Sequence, residues 1–120
     1  MKKQTNAQLK KKLWKVFSEY IRKRDRGICF TCGRHAEGSG YHAGHFISKS
    51  VGGLALYFHE KNVCGQCYNC NINLGGNQYI FGTKLGRATV EELERERQKV
   101  IKDFPFEAKI AYYKEKIARL

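Results

Sequence analysis

The chain has no apolar run approaching the roughly 18 to 20 residues that a membrane span requires, so a transmembrane helix is excluded and no membrane partner is expected. Its opening residues, MKKQTNAQLKKKLW, carry lysines with no apolar run behind them, and no signal peptide is expected. Acidic side chains are scarce: 11 Asp and Glu stand against 23 Lys and Arg, a formal charge of +12. So large an excess of one sign favours a polyanionic partner, nucleic acid above all. The five cysteines are an odd number, which suits a fully paired disulfide framework poorly. A reducing, cytoplasmic compartment with free thiolates is therefore expected. Internal repeats and low-complexity stretches are missing too, and the one proline, Pro105, falls late in the chain. With 120 residues, one domain is the natural expectation.

What is present is concentrated between Cys29 and Asn77. Cys29-x-x-Cys32 opens the stretch and Cys67-x-x-Cys70-Asn71 closes it, with a 34-residue insert, Gly33 to Gln66, in between. Two such knuckles can bring four thiolates to one tetrahedral zinc, a closed and structural site. Cys64 is left over. Pairing it with Cys67 would strand Cys70, so it reads as a core residue or spectator.

Before the first knuckle, Leu9, Leu13, Val16, Phe17, Tyr20 and Ile21 recur at helical spacing, behind a basic flexible tail expected over residues 1–8. Lys10, Lys11, Lys12, Lys15, Arg22 and Lys23 occupy the other faces of this helix. Residues 1–26 hold ten Lys and Arg against Glu19 and Asp25, +8 of the total +12. A surface that tracks phosphates accounts for that imbalance better than ordinary solvation does. Beyond the first knuckle, residues 35–40 read as a loop, and Tyr41–Ile47 and Leu54–Phe58 as two strands joined by Ser48–Gly53. A short helix is expected from Cys67 to Leu74, broken at Gly75-Gly76. Thr89-Val90-Glu91-Glu92 reads as a capping box that starts a helix with Val90, Leu93, Val100 and Ile101 inward and a Glu91–Arg95 pair. Asp103-Phe104-Pro105 breaks that helix, and Phe106–Leu120 makes the last one, through Ile110, Tyr113 and Ile117.

The insert carries the chemistry. His45 sits in the first expected strand, and neutral imidazole suits the deprotonation of water near neutral pH. Phosphodiester hydrolysis also calls for a divalent cation, and the Asn71 carboxamide is a hard oxygen donor fit for Mg²⁺. His42 is three residues from His45, so the two do not share a face of a regular strand. A structural role within the hairpin and a helping role at a metal both remain open for it. His35 and His59 read as loop or surface residues. Asn77 reads either as a helix-end residue in left-handed geometry or as a phosphate contact, and Trp14, Tyr112 and Tyr113 read as core.

Two Cys-x2-Cys pairs that enclose a strand histidine and Asn62, with Asn71 directly after the second pair, resemble the HNH, or ββα-metal (His-Me finger), endonucleases. The finer pattern is Tyr41-His42-Ala43-Gly44-His45-Phe46, Phe58-x3-Asn62-Val63 and Gln66-Cys67-x2-Cys70-Asn71-x2-Leu74-x-Gly76-Asn77. It is similar to the phage NinG (Rap) recombination proteins over about residues 16–120. The resemblance implies an α+β fold within 9–120. A zinc-stapled ββα-metal core at 27–80 would be flanked by the basic helix and by two C-terminal helices in an extension at 88–120. It implies a Mg²⁺- or Mn²⁺-dependent endonuclease, with His45 as general base, Asn71 as metal ligand and Asn62 orienting His45. Branched recombination intermediates in a bacterial host's cytosol would be the substrates. The commonest HNH pattern has Asp or His where this chain has Gly44, which leaves Asn71 as the principal protein ligand and His42 as a candidate second one. A resolvase would need two active sites, making a homodimer through the final helices a candidate assembly. Two rivals remain: a non-catalytic zinc-stapled DNA-binding module, and a redox sensor using Cys64.

Overall fold

The computed structural model describes residues 3–97 and 99–120, so the first two positions of the expected tail lie outside it. Helix α1 spans Asn6–Arg24. It starts earlier than expected because Thr5 and Gln8 cap it reciprocally. Gln8 N–H donates to Thr5 Oγ1 at 3.1 Å and Thr5 N–H to Gln8 Oε1 at 2.9 Å. The polar residues that suggest a tail are thus the cap itself, which satisfies amides at the helix start.

After α1 come strand β1 (Tyr41–His45), helix α2 (Lys49–Tyr57) and strand β2 (Val63–Cys67). A π-helical turn (Asn69–Asn73) and helices α3 (Gln78–Leu85), α4 (Arg87–Glu96) and α5 (Phe106–Ala118) follow. The class is α+β, with a single two-stranded sheet among the described residues. β1 and β2 pair antiparallel, Tyr41 opposite Cys67 and His45 opposite Val63. The second strand is therefore not Leu54–Phe58, which is helical around a kink at Gly53 with φ 67°. A short apolar run satisfies a buried strand and a buried helical turn equally. Tertiary bonds decide here: buried Asn62 holds the carbonyls of Ile47 and Leu56 at 3.0 Å each, closing the segment into a loop.

α1 and α5 form one wall of the core. Leu9, Leu13, Phe17, Tyr20 and Ile21 meet Phe58, Val63, Phe106 and Tyr113, with Ile110 and Ile117 packed alongside. Phe17 and Tyr113 cross edge to face at 4.9 Å, a favoured aromatic geometry. Tyr113 and Ile117 of the final helix thus cover the core, while Leu120 after it is exposed. Glu60 gathers Tyr20 Oη, Tyr113 Oη and Lys116 at 3.2, 3.0 and 3.5 Å. At the end of α1, Arg24 donates to the carbonyls of Glu60 and Val63 at 2.9 Å, and Asp25 accepts from Gly65 N–H at 2.7 Å. These bonds fix the basic helix to β2.

The C-terminal half departs from expectation in three ways. Helix α3, which the sequence pattern does not announce, follows Asn77, whose φ of 50° is the left-handed geometry expected of a helix-end residue. α4 then begins at Arg87, directly after Gly86 at φ 89°, so Thr89 lies inside the helix and makes no capping box. The ion pair is one turn earlier too, Arg87 with Glu91 at 3.0 Å. Finally, α4 ends at Glu96. Leu93 is buried, but Val100 and Ile101 lie beyond the helix and are exposed. No helix among the described residues is long and apolar enough to cross a membrane.

Candidate metal centre and the adjoining cleft

The two knuckles close on each other. After α1 the chain turns through Gly27 and Gly33, both at positive φ. Phe30 N–H bonds to Gly65 O at 2.8 Å, placing the first knuckle against β2. Cys67 ends β2 and Cys70 sits in the π-helical turn. The sulfurs of Cys29, Cys32, Cys67 and Cys70 all lie within 4.8 Å of one another, and Cys64 is outside the group. Cys32 Sγ and Cys67 Sγ are 3.7 Å apart. A tetrahedron with Zn–S bonds of about 2.3 Å has an edge of roughly 3.8 Å, so the four thiols could hold one zinc ion.

The thiol chemistry agrees with that fit. Burial pushes Cys29 up, but bonds from Thr31 and backbone amides outweigh it and bring its pKa down to about 6. Burial, together with neighbouring thiols, raises Cys32 to about 12 and also raises Cys70. Four crowded thiols cannot all carry charge unless a cation stands among them. Cys64, buried near Arg24 and Asp25, is pushed up to about 12, chiefly by desolvation.

Beside the cysteines a cleft of about 740 Å³ is lined by His45, Lys49, Asn71, Gly76 and Gln78, among others. His45 Nε2 is 2.9 Å from the Tyr57 carbonyl. A carbonyl only accepts, so Nε2 carries the proton and Nδ1 is left as a lone-pair acceptor. The Trp14 ring stacks on the imidazole at 5.1 Å, and the Tyr57 ring meets it edge-on at 5.3 Å. Desolvation in this enclosure pulls the His45 pKa down to about 4; Tyr57 opposes the shift and Lys49 adds to it. The imidazole is thus neutral throughout the physiological range.

Asn62, fully buried, accepts Ile47 N–H at 2.8 Å besides its two donated bonds. Its side chain makes no hydrogen bond to His45. It holds the loop whose Tyr57 carbonyl receives His45 Nε2, so any influence on the imidazole passes through the backbone.

Asn71 and His42 fix one another. Asn71 Nδ2 donates to His42 Nδ1 at 2.9 Å, while His42 Nε2 donates to Ser39 O, also at 2.9 Å. Both ring nitrogens are occupied, so His42 offers no lone pair to a metal. Its bond instead turns the Asn71 carboxamide so that Oδ1 is the free end.

The family model of the Bacteriophage Lambda NinG protein matches residues 1–120. The chain belongs to the NinG family. It is 29% identical over 94 residues to Protein ninG of Salmonella phage P22, covering 74% of this chain and 45% of that one. To Protein ninG of Escherichia phage lambda it is 30% identical over 89 residues, 70% of this chain and 43% of that one. The NinG relatives are thus matched over less than half their own length. No solved structure matches the chain.

In this NinG chain the basic residues of α1 divide by face. Lys11, Lys12, Lys15 and Lys23 are exposed, while Lys10 and Arg22 are half-buried. Lys10 Nζ stands over the Tyr57 ring at 4.5 Å, one contact from His45. Lys23 is 3.6 Å from Glu19 and Arg22 donates to Ser18 O, so these two are partly engaged. Two residues near His45 escaped sequence reasoning. Trp14 reads as core by its spacing but presents its ring to His45. Lys49 reads as loop, and its Nζ lies 4.6 Å from the Trp14 ring centre. Only the Lys10/Trp14 spacing of one helical turn could have signalled a shared face.

Proposed function

We propose that this NinG-family chain is a metal-dependent DNA endonuclease of the HNH type, acting on branched recombination intermediates. The observation that carries the reading is the His45 imidazole: its proton is committed to the Tyr57 carbonyl, and its Nδ1 is free in a cleft that Asn71 also lines. A water molecule at Nδ1 can be deprotonated for in-line attack on a phosphodiester, leaving 5′-phosphate and 3′-hydroxyl ends. Asn71 Oδ1, left unpaired by the bond from Nδ2 to His42, is a hard oxygen suited to Mg²⁺ or Mn²⁺. When bound, such an ion supplies charge neutralisation at the phosphate and at the leaving oxygen. Asn62 holds the loop that carries Tyr57 O, and so fixes which His45 nitrogen is free.

The other parts support this chemistry. A zinc in the four thiolates staples the π-helical turn bearing Asn71 to the end of β2. The exposed lysines of α1 supply sequence-independent, salt-sensitive affinity for DNA. Those lysines and cysteines would equally suit a non-catalytic zinc-stapled DNA-binding module; His45, Asn62 and Asn71 favour the enzyme.

The test is cleavage of a synthetic four-way junction and of a linear duplex by zinc-loaded protein in Mg²⁺, Mn²⁺ or EDTA. Cutting in either metal, abolished by EDTA and by Asn71→Ala, supports the proposal, and faster cutting of the junction supports the substrate class. Junction binding with no cutting in any metal would leave the binding module as the reading.

A further inference from the structure

Gln66 is fully buried, yet its Oε1 has no hydrogen-bond partner. An unpaired buried carbonyl costs on the order of 1–3 kcal/mol, so it calls for an explanation. The other end of the carboxamide is fully used: Nε2 donates to Thr31 Oγ1 at 3.1 Å and to Gly76 O at 2.8 Å. Reversing the amide would set two carbonyl oxygens against each other, so the orientation is fixed. Oε1 is held toward Gly44, where it fills the space that a side chain at that position would need.

Asn71 converges on the same place. Its Nδ2 is tied to His42, and its Oδ1 also faces Gly44. Both oxygens lie within 3.0 Å of a single point, the position a β-carbon on Gly44 would take. Two carboxamides, each anchored by its nitrogen, thus turn their unpaired oxygens toward the same point beside Gly44, and one of them, Asn71, also lines the cleft. Paired hard oxygens with no donor between them are the chemistry of a divalent cation site.

The geometry points to Gln66 as a second oxygen ligand of the divalent cation, beside Asn71, in an arrangement that any side chain larger than glycine at position 44 would displace. The inference rests on the nuclease reading and deepens it. It also connects the two metal centres. The Thr31 hydroxyl that receives Gln66 Nε2 lies 3.3 Å from Cys29 Sγ, so the thiolate cluster holds the carboxamide in place.

The experiment is Mn²⁺ titration of zinc-loaded protein without DNA, followed by the electron paramagnetic resonance of free Mn²⁺. The comparison covers wild type, Gln66→Met, Asn71→Ala and the double variant Gln66→Ala/Gly44→Asp, with zinc content and melting temperature recorded for each. Removing a contributing oxygen should weaken Mn²⁺ binding about 10-fold or more, and Gln66→Met should do so with zinc retained. The double variant sends a carboxylate into the vacated space and should restore binding to about the wild-type level. Wild-type Mn²⁺ affinity in Gln66→Met, with affinity lost in Asn71→Ala, would overturn the inference while the nuclease site stands. If Gln66→Met fails to fold, a zinc-loaded double variant that does not recover Mn²⁺ binding overturns it as well. A wild type that binds Mn²⁺ no better than Asn71→Ala removes the cation site, and the nuclease reading falls with it.

Discussion

Trp14 lies stacked on His45, with ring centroids 5.1 Å apart and planes inclined by 23°. The contact joins the most basic helix of the chain to the imidazole of the cleft. It also excludes water from one face of His45, which makes burial the dominant influence on its protonation.

Trp14→Ala should therefore raise the His45 pKa toward the ordinary value of about 6.5. The lost packing should destabilise the fold by about 2–3 kcal/mol, since the indole is only partly buried. Trp14→Phe, which keeps a ring in place, should move both much less. Histidine proton resonances followed against pH and a denaturant melt measure the two effects.

Stability should fall in acid through His45. Its pKa is near 4 when folded and about 6.5 when unfolded, so the unfolded chain binds more protons between those values. The contribution is fully present above about pH 6.5, declines as pH falls toward 4, and amounts to about 3 kcal/mol. His45→Gln should flatten this part of the stability profile, as read by urea midpoints from pH 4 to 7.

Asn62 holds three backbone groups at once, and Asn62→Ala would leave an N–H and two carbonyls unpaired in the interior. A loss of about 2–4 kcal/mol is expected, larger than a surface substitution would give. Because the loop carries Tyr57 O, His45 should also lose its fixed tautomer. The imidazole nitrogen shifts of the variant report that change.

Chelation should unfold the knuckles. A structural zinc contributes folding free energy directly, so a strong chelator should lower the melting temperature sharply and expose thiols. Cys32→Ser should reduce zinc content, whereas Cys64→Ser should bind zinc as wild type does, since Cys64 lies outside the four-sulfur group. Metal analysis of the purified variants measures both.

The cysteine cluster was legible because each Cys-x2-Cys is a local unit whose spacing alone sets its geometry. α1 and α5 were legible from their apolar periodicity. Leu54–Phe58 was not: its five apolar residues carry no period, and its conformation is decided by Asn62, a residue further along the chain. α3 has too few buried positions to announce itself, only Phe81 among its residues. At the site, His45 and Asn71 are conspicuous as residue types in a motif. Trp14, Lys49 and Gln66 acquire their places from packing between distant segments, which no local pattern encodes.

The central claim is that His45 activates water for phosphodiester hydrolysis. It is tested most directly by comparing zinc-loaded wild type with His45→Ala on supercoiled plasmid and a four-way junction in Mn²⁺, with DNA binding measured alongside. The account predicts that wild type cuts, and that the variant loses cutting while keeping its zinc and its affinity for DNA. Equal cutting by the two proteins would contradict it.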